Sequence, residues 1–80
     1  MLNTPQDPQD LPENIDELSL GELIAIARNR ANLSQESLGR RADIGRITIH
    51  RYEKGYTTPS CDRLERIAKA VNHPIEWFYQ

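Results

Sequence analysis

Leu20, Leu23, Ile24, Ala27 and Ala31 recur three to four residues apart, the period that stacks side chains on one face of an α-helix. Ser19 precedes this run and Glu22 stands three residues on, the pair that makes a capping box, so the pattern predicts a first helix over residues 20–31. Asn32 can take a left-handed backbone, and Ser34 is a good N-cap for a second helix that runs through Ala42 with Leu38 and Ala42 buried. A break over residues 42–45 follows, in which Asp43 tolerates left-handed geometry and Gly45 is a weak cap. The third helix, over residues 46–54, has a small inward face of Ile49 and Tyr52 with Thr48 beside them. At 100° per residue, Arg46, Ile47, His50, Arg51 and Lys54 gather on the opposite arc. Gly55 stops that helix, residues 56–59 form a loop, and Ser60 caps a fourth helix whose apolar stripe is Cys61, Leu64, Ile67, Ala68 and Val71. Asn72 closes it, and residues 74–80 predict a last short helix rich in aromatics.

Residues 1–18 differ in kind, with prolines at 5, 8 and 12 and no periodicity. That composition predicts a disordered arm, in which Leu11, Ile15 and Leu18 can dock on the body. The chain thus divides into an arm over residues 1–18 and one all-α domain over residues 19–80. At 80 residues and 38% hydrophobic composition, a second core would have nothing to bury.

Charge sharpens this division. The formal net charge of -2 averages two unlike parts, because residues 1–22 carry -6 and the rest carries +4. All ten basic residues lie in the second part, so the body is the part suited to a polyanion. The longest apolar run, Leu23 to Ala27, is too short to cross a bilayer, and the acidic start has no signal-peptide character, which predicts a cytoplasmic chain without membrane contact. The single cysteine, Cys61, allows no internal disulfide. No Cys/His cluster has metal spacing, and no acid/base pair, oriented nucleophile or phosphate loop stands out, so neither cofactor, metal nor enzymatic activity is expected.

Three blocks of sequence carry a resemblance. They are Arg28-(x)4-Leu33-Ser34-Gln35-Glu36-Ser37-Leu38, then Ile44-Gly45-(x)3-Ile49-(x)2-Tyr52-Glu53-Lys54-Gly55, then Pro59-Ser60-(x)3-Leu64-(x)2-Ile67-Ala68-(x)2-Val71-(x)5-Trp77. In this order and spacing, residues 20–80 resemble the lambda-repressor-like, or XRE/Cro, DNA-binding family. The resemblance implies a compact five-helix domain in which helices two and three form the helix-turn-helix. It also implies a sequence-specific regulator of transcription, a repressor that occupies operator DNA as a homodimer.

Residue by residue, the resemblance implies base contacts in the major groove from Arg46, Ile47, His50 and Arg51. It implies phosphate contacts from Gln35, at the start of the second helix, and from Lys54, Tyr56, Thr57 and Thr58 just beyond the third. Arg28 and Glu53 match a structural ion pair between the first and third helices. Phe78 and Tyr79 match a segment that commonly dimerises in the family, or they cap the core; Ile26 is a second surface candidate. The chain departs from the family at Gly39, where alanine is usual, and at Asn32, Asp43 and Asn72, where glycine is usual. Gly45 replaces a Ser/Thr cap, Ile47 an often polar reader, and His73 a usually apolar residue, for which a half-buried imidazole is expected.

Plainer roles are expected elsewhere. Tyr52, Ile49, Leu38, Leu64, Ile67 and Trp77 read as core, Cys61 as a small buried hydrophobe, and Arg63, Arg66 and Lys69 as a solvated face, as do Arg40 and Arg41. A rival function is an antitoxin or adaptor that holds a protein partner through the acidic arm or the C-terminal aromatics; against it stands an arm that is a solubilising linker.

Overall fold

A computed structural model of the chain describes residues 18–80. Four α-helices follow one another: α1 (Leu20–Arg30), α2 (Gln35–Ala42), α3 (Arg46–Lys54) and α4 (Cys61–Ala70). A 3₁₀ helix, Ile75–Tyr79, ends the chain. The predicted arm lies, up to residue 17, outside the described residues; Leu18 packs against the core.

Serine caps set three of the starts. Ser19 Oγ accepts from the Glu22 amide at 3.2 Å while Glu22 Oε1 accepts from the Ser19 amide at 2.9 Å, which completes the capping box. Ser34 Oγ accepts from the Ser37 amide at 2.9 Å, and Ser60 Oγ from the Arg63 amide at 3.2 Å. Gly45 opens α3 with no side-chain cap. Reversals of the chain fall on Asn32, Asp43 and Asn72, whose φ values of 60°, 59° and 59° are left-handed. A short polar side chain tolerates that geometry better than other residues with a Cβ.

The last element corrects the expectation of five helices. Ile75–Tyr79 winds as a 3₁₀ helix rather than an α-helix, with the Trp77 amide bonding the Pro74 carbonyl at 3.0 Å, a spacing of three. The tighter winding seats Trp77 edge-on against both His73 and Phe78, with centroids 4.6 and 5.0 Å apart. Phe78 is thereby buried in the core, which matches the second of the two roles the sequence leaves open for it, that of capping the core; Tyr79, 62% exposed, remains on the surface. His73 and Trp77 are half-buried, and so is Ile26.

Leu23, Ile24, Leu38, Ile49 and Ile67 are the largest fully buried side chains, and they tie all four α-helices into one core. Ile44, inside the break between α2 and α3, is buried too, which anchors the turn itself. Cys61, expected in that core, is exposed. It is the first residue of α4, directly after the Ser60 cap, and the buried stripe of that helix begins one turn later at Leu64. Two arginines assigned to a solvated face also have partners. Arg63 Nη1 donates to the Tyr52 hydroxyl at 2.9 Å, a bond that raises the guanidinium pKa above its ordinary value. Arg66, half-buried, lies 3.6 Å from Asp62 and 3.8 Å from Asp43, so α4 reaches the turn.

Two features fix α3 against α1. The first is a close approach of backbones: a Cβ on Gly21 would overlap the carbonyl oxygen of Tyr52 and crowd that of Glu53. The second is an ion pair in which Arg28 Nε donates to Glu53 Oε2 at 2.6 Å and Arg28 Nη2 to Glu53 Oε1 at 3.1 Å. Arg28 Nη1 also donates to the Leu33 carbonyl at 2.8 Å. The side chains are only 14% and 8% exposed, so the pair is largely desolvated and both of its charges depend on each other.

Gly21→Ala should therefore lower stability by roughly 1–3 kcal/mol, the cost of forcing a methyl into a filled space, measured as a lower urea midpoint at unchanged slope. Parental stability would show that α1 and α3 are not held at this distance. Glu53→Gln should cost about 3 kcal/mol because it leaves a partly buried guanidinium without its counter-charge, whereas Arg28→Met/Glu53→Leu should recover part of that loss. Equal losses in the single and double variants would show that the charge pairing is not what the site contributes.

Candidate nucleic-acid interface

The third helix has two unlike sides. Ile49 and Tyr52 are buried, and they alone anchor its inner face. Arg46, Ile47, Arg51 and Lys54 are exposed, Ile47 at 66%, while His50 is half-buried at the edge of the same arc. The periodicity placed these five residues together, and the structure keeps them together.

Glu53 decides the electrostatics of this arc. It is the only acidic residue of α3, and its carboxylate is turned inward onto Arg28. Among the described residues, none of Arg46, Arg51 and Lys54 has a carboxylate within salt-bridge distance. The exposed arc of a nine-residue helix therefore presents three cations and a large aliphatic side chain, with no compensating negative charge.

The flanks bring further donors to the same side. At the start of α2, Gln35 is half-buried, and its Nε2 donates to Glu53 Oε1 at 3.0 Å. The bond joins residues 18 apart, so no local pattern in the sequence announces it. It places Gln35 and the first amides of α2 beside the C-terminal end of α3. Beyond that end, Gly55 is left-handed at φ 80°, and the Tyr56 amide bonds back to the Arg51 carbonyl at 2.9 Å. The chain doubles back, so that Tyr56, Thr57 and Thr58 emerge exposed directly after Lys54. On the other flank Arg40 and Arg41 are exposed at the end of α2, with Arg40 held 3.4 Å from Glu36.

Such a surface can do two things. Its guanidinium and ammonium groups can neutralise phosphates, and an exposed helix with long side chains fits a groove about as wide as the DNA major groove. The departures identified from sequence have local consequences. Gly39 is needed, since a Cβ there would overlap the Ile44 carbonyl oxygen across the turn, whereas nothing crowds Gly45. Among the described residues no group of His, Cys, Asp and Glu is arranged to hold a metal ion, and no helix is long and apolar enough to cross a membrane.

A helix-turn-helix family model matches residues 16–78. A relative from Sinorhizobium medicae, described as an uncharacterized HTH-type transcriptional regulator, is 33% identical over 69 residues, which are 86% of this chain and 49% of that protein. The chain thus spans about half the length of that relative. Among solved structures, Bacillus thuringiensis PlcR in complex with the peptide PapR7 and DNA is 33% identical, covering 76% of this chain and 21% of PlcR, with a TM-score of 0.70. The P22 c2 repressor in complex with a synthetic operator is 23% identical over 76% of this chain and 92% of its own, with a TM-score of 0.72, and so shares the fold. With its capped helices, the buried turn between α2 and α3, and this match over most of its length, the chain belongs to the helix-turn-helix family of lambda-repressor-like, XRE/Cro type.

Proposed function

We propose that the protein binds double-stranded DNA in a sequence-specific way and regulates transcription, as a repressor that occupies its operator as a homodimer. The observation that carries this reading is the uncompensated positive arc of α3, beside the start of α2 and the loop after Lys54. The description of the Sinorhizobium relative as a transcriptional regulator and the DNA bound by PlcR support it.

In this reading α3 lies in the major groove. Arg46 or Arg51 donates two bonds to a guanine, Ile47 packs on a thymine methyl, and His50 donates or accepts at a base edge. Gln35 and the first amides of α2 hold a phosphate, where unpaired N–H groups and the helix dipole favour an anion. Lys54, Thr57 and Thr58 follow the backbone and set the register without reading sequence. One domain with about four to six phosphate contacts binds weakly at physiological salt, so two copies on half-sites about 34 Å apart supply the affinity. Tyr79, exposed at the end of the C-terminal helix, belongs in the contact between copies. The mechanism is occupancy of the site, with no covalent step.

Selection of bound duplexes from a random pool at ~50 mM salt should enrich one motif, arranged as two half-sites. Gln35→Ala should weaken binding to all sequences alike, while Arg51→Ala should relax the preference at one base position by roughly ten-fold or more. A pool that enriches no motif would sink the reading.

A further inference from the structure

We propose that Tyr56 is a positioning residue for Arg51, and that its ring, rather than a phosphate contact from its hydroxyl, is what it contributes to DNA recognition. The inference rests on the reading of Arg51 as a base reader given above. Tyr56 is five residues from Arg51, too far along a continuous helix for the two side chains to meet on one face. They meet because Gly55, at φ 80°, ends α3 and turns the chain back, so that the Tyr56 amide bonds the Arg51 carbonyl at 2.9 Å. The Arg51 guanidinium carbon then lies 5.8 Å from the centroid of the Tyr56 ring, within the range of a cation–π contact.

The pairing has a use at this place. Both side chains are exposed, Tyr56 at 65%, and Arg51 has no carboxylate partner among the described residues. A long arginine on an open helical arc otherwise samples many rotamers, and binding has to order them. A ring beside it restricts the guanidinium before DNA arrives. A guanidinium restricted in this way is better placed to donate two parallel bonds to one base, a geometry the wrong base cannot return. The ring leaves the five guanidinium donors free for DNA, which a carboxylate in its place would not.

The test compares Tyr56→Ala, Tyr56→Phe, Arg51→Ala and the Tyr56→Ala/Arg51→Ala pair in the full chain, measured against the selected duplex and against duplexes with each base pair changed in turn. Tyr56→Ala should reduce discrimination by about two- to five-fold at the position that Arg51→Ala relaxes and at no other, the factor expected of an exposed cation–π contact. Tyr56→Phe should retain discrimination, since it keeps the ring and loses only the hydroxyl. In the Arg51→Ala background, Tyr56→Ala should have no further effect on base preference. Without DNA, the Arg51 side-chain protons should show an upfield ring-current shift in NMR spectra of the parent and Tyr56→Phe, lost in Tyr56→Ala. If Tyr56→Ala and Tyr56→Phe weaken every duplex alike with discrimination unchanged, Tyr56 is a phosphate contact and the proposal falls alone. If Arg51→Ala relaxes no position, the base-reading role of Arg51 falls, and the proposal with it.

Discussion

One carboxylate, that of Glu53, holds three helices in their working arrangement. It belongs to α3, receives two bonds from Arg28 of α1, and receives a third from Gln35 at the start of α2. Desolvating a carboxylate is costly unless its lone pairs are filled, and here three N–H donors from two other helices fill them. The arrangement has an electrostatic consequence as large as its structural one. With Glu53 turned inward, the only negative charge of α3 leaves the exposed arc, and the fields of Arg46, Arg51 and Lys54 add without cancellation.

The helix that depends on this carboxylate has little else to hold it. Ile49 and Tyr52 are its only buried residues, and its first turn lacks a side-chain cap at Gly45. The backbone approach at Gly21, the buried Ile44 in the turn and the hydrogen bond from Arg63 of α4 to the Tyr52 hydroxyl each remove a way for α3 to tilt or slide. A helix that gives most of its circumference to solvent needs such fixings from its ends and from polar contacts, because apolar burial alone supplies too small a face.

Much of this was legible in the sequence, for physical reasons that are local. Serines followed three residues later by a partner amide or carboxylate mark helix starts, and Ser19, Ser34 and Ser60 do so here. Asn and Asp at helix ends mark left-handed residues, and periodicity alone separates the two sides of α3. What was not legible depends on distance in space rather than along the chain. Cys61 has the spacing of its helix's buried stripe but sits one turn too early to meet the core, and Phe78 and Tyr79 divide between core and surface according to a 3₁₀ winding that five residues do not announce. The bond from Gln35 to Glu53 spans 18 residues, and the pairing of Arg51 with Tyr56 needs the reversal at Gly55, so neither leaves a pattern with a fixed period.

The most direct test of the central claim, that the arc cleared of negative charge by Glu53 is the surface that meets DNA, is to titrate isotopically labelled protein with the selected duplex and follow each amide by NMR. The account predicts that the largest shifts fall on the start of α2 at Gln35 and Glu36, along α3 from Arg46 to Lys54, and in the loop through Thr58, with α4 and the C-terminal helix little changed apart from contacts between copies near Tyr79. Shifts centred on the exposed side of α4, around Glu65 and Lys69, with α3 unmoved, would contradict it.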